Sequence, residues 1–402
     1  MKRSIKIAVA AAIALSSTSA FATNGDHLIG MGAKARGMGG IGIGMSHGAE
    51  SALVNPALIT SVNGTEVSFG GTIFMPDVRT DLGTGEGSYD SAANLSVIPE
   101  VAIAQKASDN FYWGIGMFGV AGMGTDYRDA NTAGMAYNNF HMVTNLQLMQ
   151  FAVPLAYKSN GFSLGVAPVL QYGSLDINYD GSSTKGVAQD FGFGYNVGAA
   201  YEMSGLTVGA SYKSAIDMSY TGQISAAMAD FTGMMGFPNP GIADNLEQPA
   251  EIGIGASYKM GGSTFAVDYK QIKWSDAKGY KEFGWNDQNV IILGYQYTQD
   301  NWALRAGYNH AASPIKDQMM TNPLANTFNL LGFPATVENH YTVGGSLAFN
   351  KMTSVDLAYM YAPEVSDTYS SALPDGMGGF YMGNVTTKHS QQGVTAQLNF
   401  NF

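Results

Sequence analysis

The sequence predicts an all-β fold: a transmembrane antiparallel β-barrel of about fourteen strands, with an N-terminal plug (hatch) in its lumen. Three observations predict it. Apolar and polar residues alternate with period two, the connections between such segments alternate short and long, and a secretory signal opens the chain.

The signal comes first. Lys2, Arg3 and Lys6 give a basic start, Ile7 to Leu15 an apolar run, and Ala20-Phe21-Ala22 a small-x-small cleavage site. This is the layout of a secretory signal peptide, and the run is far shorter than the ~20 residues a spanning helix requires. Residues 1–22 are therefore expected to be removed. Beyond them no apolar stretch reaches the ~18 residues of a helical span. Yet 46% of the chain is hydrophobic and only 13% charged. That balance suits a wall with an apolar outside and a mildly polar inside. Net charge is −11, and without Lys2, Arg3 and Lys6 it is 17 basic against 31 acidic residues, or −14. A nucleic-acid partner is disfavoured, because phosphate binding requires a basic surface. With no cysteine, disulfides and thiolate metal sites are ruled out.

Next comes a Gly- and Ala-rich stretch, residues 23–64, containing Asn55-Pro56-Ala57. It is too long for an idle tail and too weakly periodic for strands, and it lies ahead of the barrel. It is expected to fold inside the lumen as a hatch.

The barrel itself is expected over 65–402. Val97, Val101 and Ile103 alternate with Glu100; Ile291, Leu293, Tyr295 and Tyr297 share a face opposite Gln296. Successive strand side chains point to opposite faces, so each such segment has one apolar and one polar face. Fourteen segments lie near 65–76, 96–107, 111–125, 143–158, 161–175, 191–203, 206–221, 249–260, 263–274, 288–298, 301–312, 339–350, 352–364 and 389–402. Short turns such as Ser204-Gly205 and Gly261-Gly262 alternate with long loops near 77–95, 126–142, 176–190, 222–248, 275–287, 313–338 and 365–388. Short periplasmic turns and long outer loops are the asymmetry of outer-membrane barrels. Tyr157, Tyr172, Tyr201, Tyr212, Tyr258, Trp274 and Tyr361 fall near strand ends, where amphipathic rings form interfacial girdles. The last strand ends Val394, Ala396, Leu398, Phe400, Phe402 on one face. Phe402 is thus the expected insertion signal for the outer-membrane assembly machinery.

Few residues carry the marks of chemistry. Gly37-Met38-Gly39-Gly40-Ile41-Gly42 satisfies GxGxxG but lacks the flanking strand and helix of a dinucleotide site. Close backbone packing inside the barrel explains it better. The six histidines lack metal-ligand spacing, no catalytic motif stands out, and neither enzyme activity, cofactor nor metal is expected. Asp268, Lys270 and Arg305 are expected to face the lumen and to pair with one another, since buried charge must be compensated. Two outer loops are unusually apolar: one carries Phe231, Met234, Met235 and Phe237, the other Met319-Met320 and Phe328 to Phe333. Exposed apolar patches mark binding sites, and flexible Met suits varied apolar ligands; loop–loop packing over the barrel mouth is the equal alternative.

Asn55-Pro56-Ala57-Leu58-Ile59-Thr60, Tyr112-Trp113-Gly114-Ile115-Gly116 leading to Gly124-Thr125-Asp126-Tyr127, Pro154-Leu155-Ala156-Tyr157 and Arg305-Ala306-Gly307-Tyr308 together resemble the FadL/TodX family of outer-membrane hydrophobic-compound transporters. The resemblance runs across nearly the whole mature chain. It implies a fourteen-stranded barrel closed by an N-terminal hatch, ligand capture by outer loops, and sideways release into the membrane where the third strand kinks. Phe118 to Gly124 matches that strand, and Gly119, Gly122 and Gly124 permit a bend or bulge. The chain departs from the fatty-acid branch in its short loop at 176–190 and in Leu170-Gln171-Tyr172, which has no basic residue to pair with a carboxylate.

The expected function is passive passage of hydrophobic small molecules, long-chain fatty acids or hydrocarbons, through a membrane bounded by lipopolysaccharide. A hydrophilic general porin and a structural or adhesive surface barrel are the alternatives. The apolar loops and the plug-like N-terminus count against the porin.

Overall fold

Strand alternation and turn spacing build one closed sheet. The computed structural model describes residues 24–85, 87–128, 139–184, 186–319, 321–375 and 377–402. The signal-peptide region, Thr23 and Met320 lie outside the described residues. The strands are β1 (Thr65–Asp81), β2 (Ser88–Asp90), β3 (Ser96–Lys106), β4 (Phe111–Asp126), β5 (Val143–Ala152), β6 (Leu155–Ser159), β7 (Phe162–Asn178) and β8 (Ala188–Met203). They continue as β9 (Leu206–Lys213), β10 (Glu251–Met260), β11 (Ser263–Ile272), β12 (Gln288–Gln299), β13 (Trp302–Ala311), β14 (Asn339–Ala348), β15 (Thr353–Pro374) and β16 (Phe380–Asn401). β2 pairs only with the top of β1, and β5 and β6 are one strand broken at Val153-Pro154, both lying between β4 and β7. Around the wall this leaves fourteen strands, each antiparallel to the next, and β16 pairs with β1 to close the cylinder. The fourteen-strand expectation holds.

Alternation places the faces as expected. Leu293, Leu304, Val343 and Ile254 point outward and are exposed, while Asp268, Asn309 and Asp356 point inward and are buried. Phe402 closes the wall by exchanging backbone hydrogen bonds with Thr65 (2.9 and 3.1 Å).

Three details differ from the sequence reading. β9 ends at Lys213 rather than 221, because Ile216 to Ser219 leaves the wall and forms bridges with Asn245 and Gln248. The last loop is a long hairpin: β15 and β16 extend to Pro374 and Phe380 on polar pairs such as Thr368–Thr386 (2.8 Å). Its free edge is satisfied by a loop helix, Pro323–Leu331, whose Asn326 and Thr327 side chains donate to the carbonyls of Ser370 and Ala372 (2.7 and 2.8 Å), which protects an otherwise open strand. Trp274 is fully buried rather than in an interfacial girdle.

Residues 24–64 lie within the wall, and none from Asn24 to Thr60 is exposed. This lumen segment contains a short helix, Gly32–Arg36, and two 3-10 turns, Gly48–Leu53 and Pro56–Ser61.

Candidate functional site

β4 is where the wall departs from regularity. Its alternation stops after Ile115, and every residue from Gly116 to Thr125 is buried. The register with β5 slips between Gly119 and Ala121, leaving Val120 as a bulge. Pairing with β3 ends at Glu100↔Phe118, so Ser96 to Pro99 of β3 pair with β1 alone. Above, Asp126 is tied to Ser91 and Ala92 (2.9 and 2.7 Å). The β3–β4 hydrogen-bond ladder is therefore interrupted, a window in the pairing bounded below by Phe118 and above by Asp126. The vacated edge of β4 does not stay bare, since buried backbone groups must find partners. Leu28 donates to the Val120 carbonyl and Gly122 to that of Asp26 (both 3.0 Å), with a bridge between His27 and Ala121.

Above this point, toward the outer loops, lies an apolar cavity lined by Met123, Leu146, Ile177, Ile224, Tyr280 and Trp285, with further apolar neighbours. Its polar groups are engaged: Asn329 accepts from Trp285 Nε1 (3.0 Å) and donates to the Phe283 carbonyl (2.9 Å). No cation is among its described lining residues. Trp274, Tyr280 and Trp285 pack mutually with centroids 4.6–5.0 Å apart, and any side chain at Gly25 would strike Trp274. Tyr280 and Trp285 thus border the cavity, and Trp274 and Trp285 clamp the start of the lumen segment.

A polar knot joins the two. Tyr280 donates to Asp26, Gln248 donates to Asp26 (3.1 Å), and the His27 ring donates to Gln248 (2.7 Å). Burial pushes the Asp26 carboxyl above its ordinary range, against the opposing pull of His27 and Tyr280. Below lie two mixed cavities, both bordered by Leu28, Lys213, Glu251 and Lys270. Glu251 holds both lysines, Lys213 at 3.2 Å and Lys270 at 2.8 Å, and His27 at 3.2 Å. No group of three His, Cys, Asp or Glu suited to a metal occurs among the described residues.

Residues 7–402 match the model of the family described as outer membrane protein transport protein (OMPP1/FadL/TodX). The chain belongs to that family. Its members are outer-membrane channels that transport hydrophobic compounds. The chain is 25% identical to the long-chain fatty acid transport protein of Escherichia coli O6:H1, over 90% of this chain and 92% of the relative. It is 24% identical to a 47 kDa outer membrane protein of Pasteurella multocida, over 82% and 86%. Among solved structures, the Pseudomonas putida toluene transporter TodX aligns with a TM-score of 0.69 at 18% identity, covering 93% of this chain and 99% of that one. A Pseudomonas aeruginosa FadL homologue also scores 0.69, at 15% identity, covering 94% and 100%. At these identities the structures establish the shared fold.

The FadL/TodX-type residues singled out in the sequence fall as follows. Asn55 caps the turn Pro56–Ser61 by accepting from Ala57 N (3.2 Å), and its amide donates to the carbonyls of Ile43 (2.9 Å) and Ala199 on β8 (3.3 Å). Gly119 abuts Ile98 across the window, whereas Gly124 lies tight against the β5 backbone at Thr144. Phe231 is fully buried among Phe140, Tyr179 and Phe328, and Met235 is buried too. Phe237 is 39% exposed and rests on Phe380, with centroids 4.6 Å apart.

Asp268, Lys270 and Arg305 do face the lumen but do not pair with one another. Asp268 accepts the backbone N–H groups of Gly42, Ile43 and Gly44 (2.8, 2.7 and 3.1 Å). Lys270 meets Glu251, and Arg305 lies 3.7 Å from Asp356 while donating to Gln296 and Ser346 (both 2.6 Å). Sequence reasoning expected partners within the strands, but the lumen segment supplies Asp268's. The knot of Asp26, Gln248 and Tyr280 was missed. Its one trace in the sequence is Asp26, which with Glu50 is one of two carboxylates in the Gly-rich stretch.

Proposed function

We propose that this chain passes compact, neutral hydrophobes from the outer medium into the membrane, by passive diffusion and without catalysis. Ligand enters between the outer loops, rests in the aromatic-walled cavity, and leaves sideways through the window beside β4. The lumen segment acts as the hatch that keeps the route closed to polar solutes. One observation carries this reading: Met123 of the kinked strand lines the apolar cavity, while Val120, three residues below, lines the mixed cavity beside the window. A single strand thus borders the whole path.

Neutral ligands are favoured because no cation is among the cavity's described lining residues to meet a carboxylate, and Lys213 and Lys270 below are already held by Glu251. Tyr280 and Trp285 couple the cavity to the hatch, since a ligand pressing on these rings bears on the Asp26 hydrogen bonds. Phe237 and Met234 lie at the entry, whereas Phe231 and Met235 hold the roof. Export with a cleaved signal, insertion through the Phe402 end by the assembly machinery, and residence among lipopolysaccharide belong to the same reading.

The test is uptake of labelled toluene, an alkane and a long-chain fatty acid by cells with and without the gene. The chain should speed toluene and alkane most. Gly119→Val, which fills the window against the Ile98 side chain, should lower their uptake about tenfold, the scale of one lost ~1.4 kcal/mol contribution to passage. Unchanged uptake in a folded Gly119→Val barrel would move the exit to the hatch.

A further inference from the structure

All but one of the strand contacts around the wall are joined by a turn or loop of the chain; the exception is that between the first strand, β1, and the last, β16. Their pairing, from Glu66↔Asn401 to Asp81↔Thr386, has no covalent connection beside it. Contacts between residues distant in sequence carry the greatest closure entropy and form late. The joint is therefore the part of the wall most in need of other support.

The short helix Gly32–Arg36 packs against β14, β15 and β16 and reaches over the joint to β1 and β3 with its side chains. On one side Arg36 donates to Thr72 of β1 (2.6 Å) and forms an ion pair with Glu100 of β3. On the other, the Ala33 N–H donates to Gln397 of β16 (2.9 Å), and Lys34 lies 3.8 Å from Asp356 of β15. Lys34 is also 3.8 Å from Glu66 of β1. Thr72 and Thr395 are register partners across the joint and share a hydrogen bond of 2.7 Å. Arg36 and Glu100 are 4% and 3% exposed. Before closure, the carboxylates of Glu66 and Glu100 sit at one end of an open sheet and that of Asp356 at the other. Two cations on one helix can gather them only when the ends meet.

We propose that the helix Gly32–Arg36 is an internal staple for barrel closure, holding the first and last strands together from inside. This role in assembly and stability is separate from blocking the lumen. Removing one partner of a buried ion pair leaves the other charge uncompensated, and the joint is where that loss is felt.

The natural chain has no cysteine, so engineered disulfides report cleanly. Ile73→Cys with Val394→Cys bridges lipid-facing register partners at the joint, and Leu293→Cys with Tyr308→Cys does the same between β12 and β13. Arg36→Leu is placed in each full-length background, and the temperature at which the detergent-solubilised barrel loses its fast gel mobility is measured. Arg36→Leu should lower that temperature by about 10 °C in reduced protein. The oxidised joint disulfide should restore most of it, and the β12–β13 disulfide almost none. Equal rescue by both disulfides, or no loss in Arg36→Leu, overturns the staple. If Arg36→Leu does not assemble, assembled yield in the two oxidised backgrounds is compared instead: higher yield with the joint disulfide supports the staple, and equal yield overturns it. Lys34→Met supplies a milder variant for the same comparison.

Discussion

Against β7 to β14 the lumen segment lies almost backbone to backbone on the wall; against β15, β16, β1 and β3 it is held by charged side chains. On the first side a methyl at Gly165 would overlap the backbone of Pro56-Ala57, at Gly198 the Asn55 side chain, and at Gly307 the backbone of Met38-Gly39. A Cβ at Gly344 would sit 3.0 Å from the Cα of Gly37, and one at Gly37 would sit 3.1 Å from that of Gly344. On the second side Lys34 and Arg36 meet Glu50, Glu66, Glu100 and Asp356. Glycine contact fixes a distance but tolerates no added atom. Ion pairs act over several ångströms and gather groups that begin apart. The glycine side therefore seats the segment, and the charged side ties it to the closing strands. Substitutions on the two sides should fail differently.

The largest effect is expected on the glycine side. Gly307→Val places a branched side chain where the Gly39 backbone lies, and the wall strand cannot retreat without breaking its ladder. Overpacking of this kind costs about 1–3 kcal/mol or more, so the segment should lift while the barrel stays closed. The measurement is small-ion conductance in planar bilayers, which should rise well above that of the natural chain, with gel mobility retained. Unaltered conductance would mean that the glycine contacts do not seat the segment.

Asp268 sharpens the contrast, as a charge on the glycine side. It binds three successive N–H groups rather than a cation, and each ionised acceptor bond of this type is a strong one. Asp268→Asn keeps one carbonyl oxygen but turns an N–H₂ toward N–H groups. The loss should be about 1–3 kcal/mol. Amide exchange at Gly42, Ile43 and Gly44 should quicken while exchange at Ala33 and Arg36 does not. Equal quickening at both places would merge the two sides into one unit.

The wall was legible in the sequence because alternation is a local property. Leu293 and Gln296 declare their faces whatever the rest of the chain does. The last hairpin was hidden because Asp367 to Thr387 shows no regular apolar–polar alternation, so its strand character rests on cross-strand threonines and on Asn326 and Thr327 of a distant helix. Trp274 was misplaced for a similar reason. Its position near a strand end fits an interfacial ring, and only the folded N-terminus, bringing Gly25 beneath it, turns it inward. The lumen segment's glycines were read as close-packing residues, but what they pack against is set by register around a closed barrel. Charge pairing was least legible of all: Arg36 and Glu100, or Asp268 and Gly42, are brought together by closure alone.

The smallest expected effect probes the charged side through pH. Glu50 accepts from Gln397 (2.6 Å) and lies 3.3 Å from Lys34, with Glu66 and Asp356 facing the same cluster. Burial pushes its carboxyl up to about 7, with Asp356 and Glu66 adding to the rise and Lys34 opposing it. The folded barrel therefore keeps a proton that the unfolded chain releases near pH 4.5. Stability from this group is fully present below about 4.5 and is lost as pH rises through about 7. At pH 7 the group is already half neutral, and glutamine preserves an acceptor for Gln397. Glu50→Gln should then change stability by less than about 1 kcal/mol at that pH. What it should remove is the slope: the natural barrel should lose heat resistance as pH rises from about 5 to about 8, and the variant should lose less. The same slope in Gly307→Val would show that the charged side keeps its geometry when the glycine side is unseated. Its disappearance there would make the glycine contacts the foundation on which the ion pairs depend.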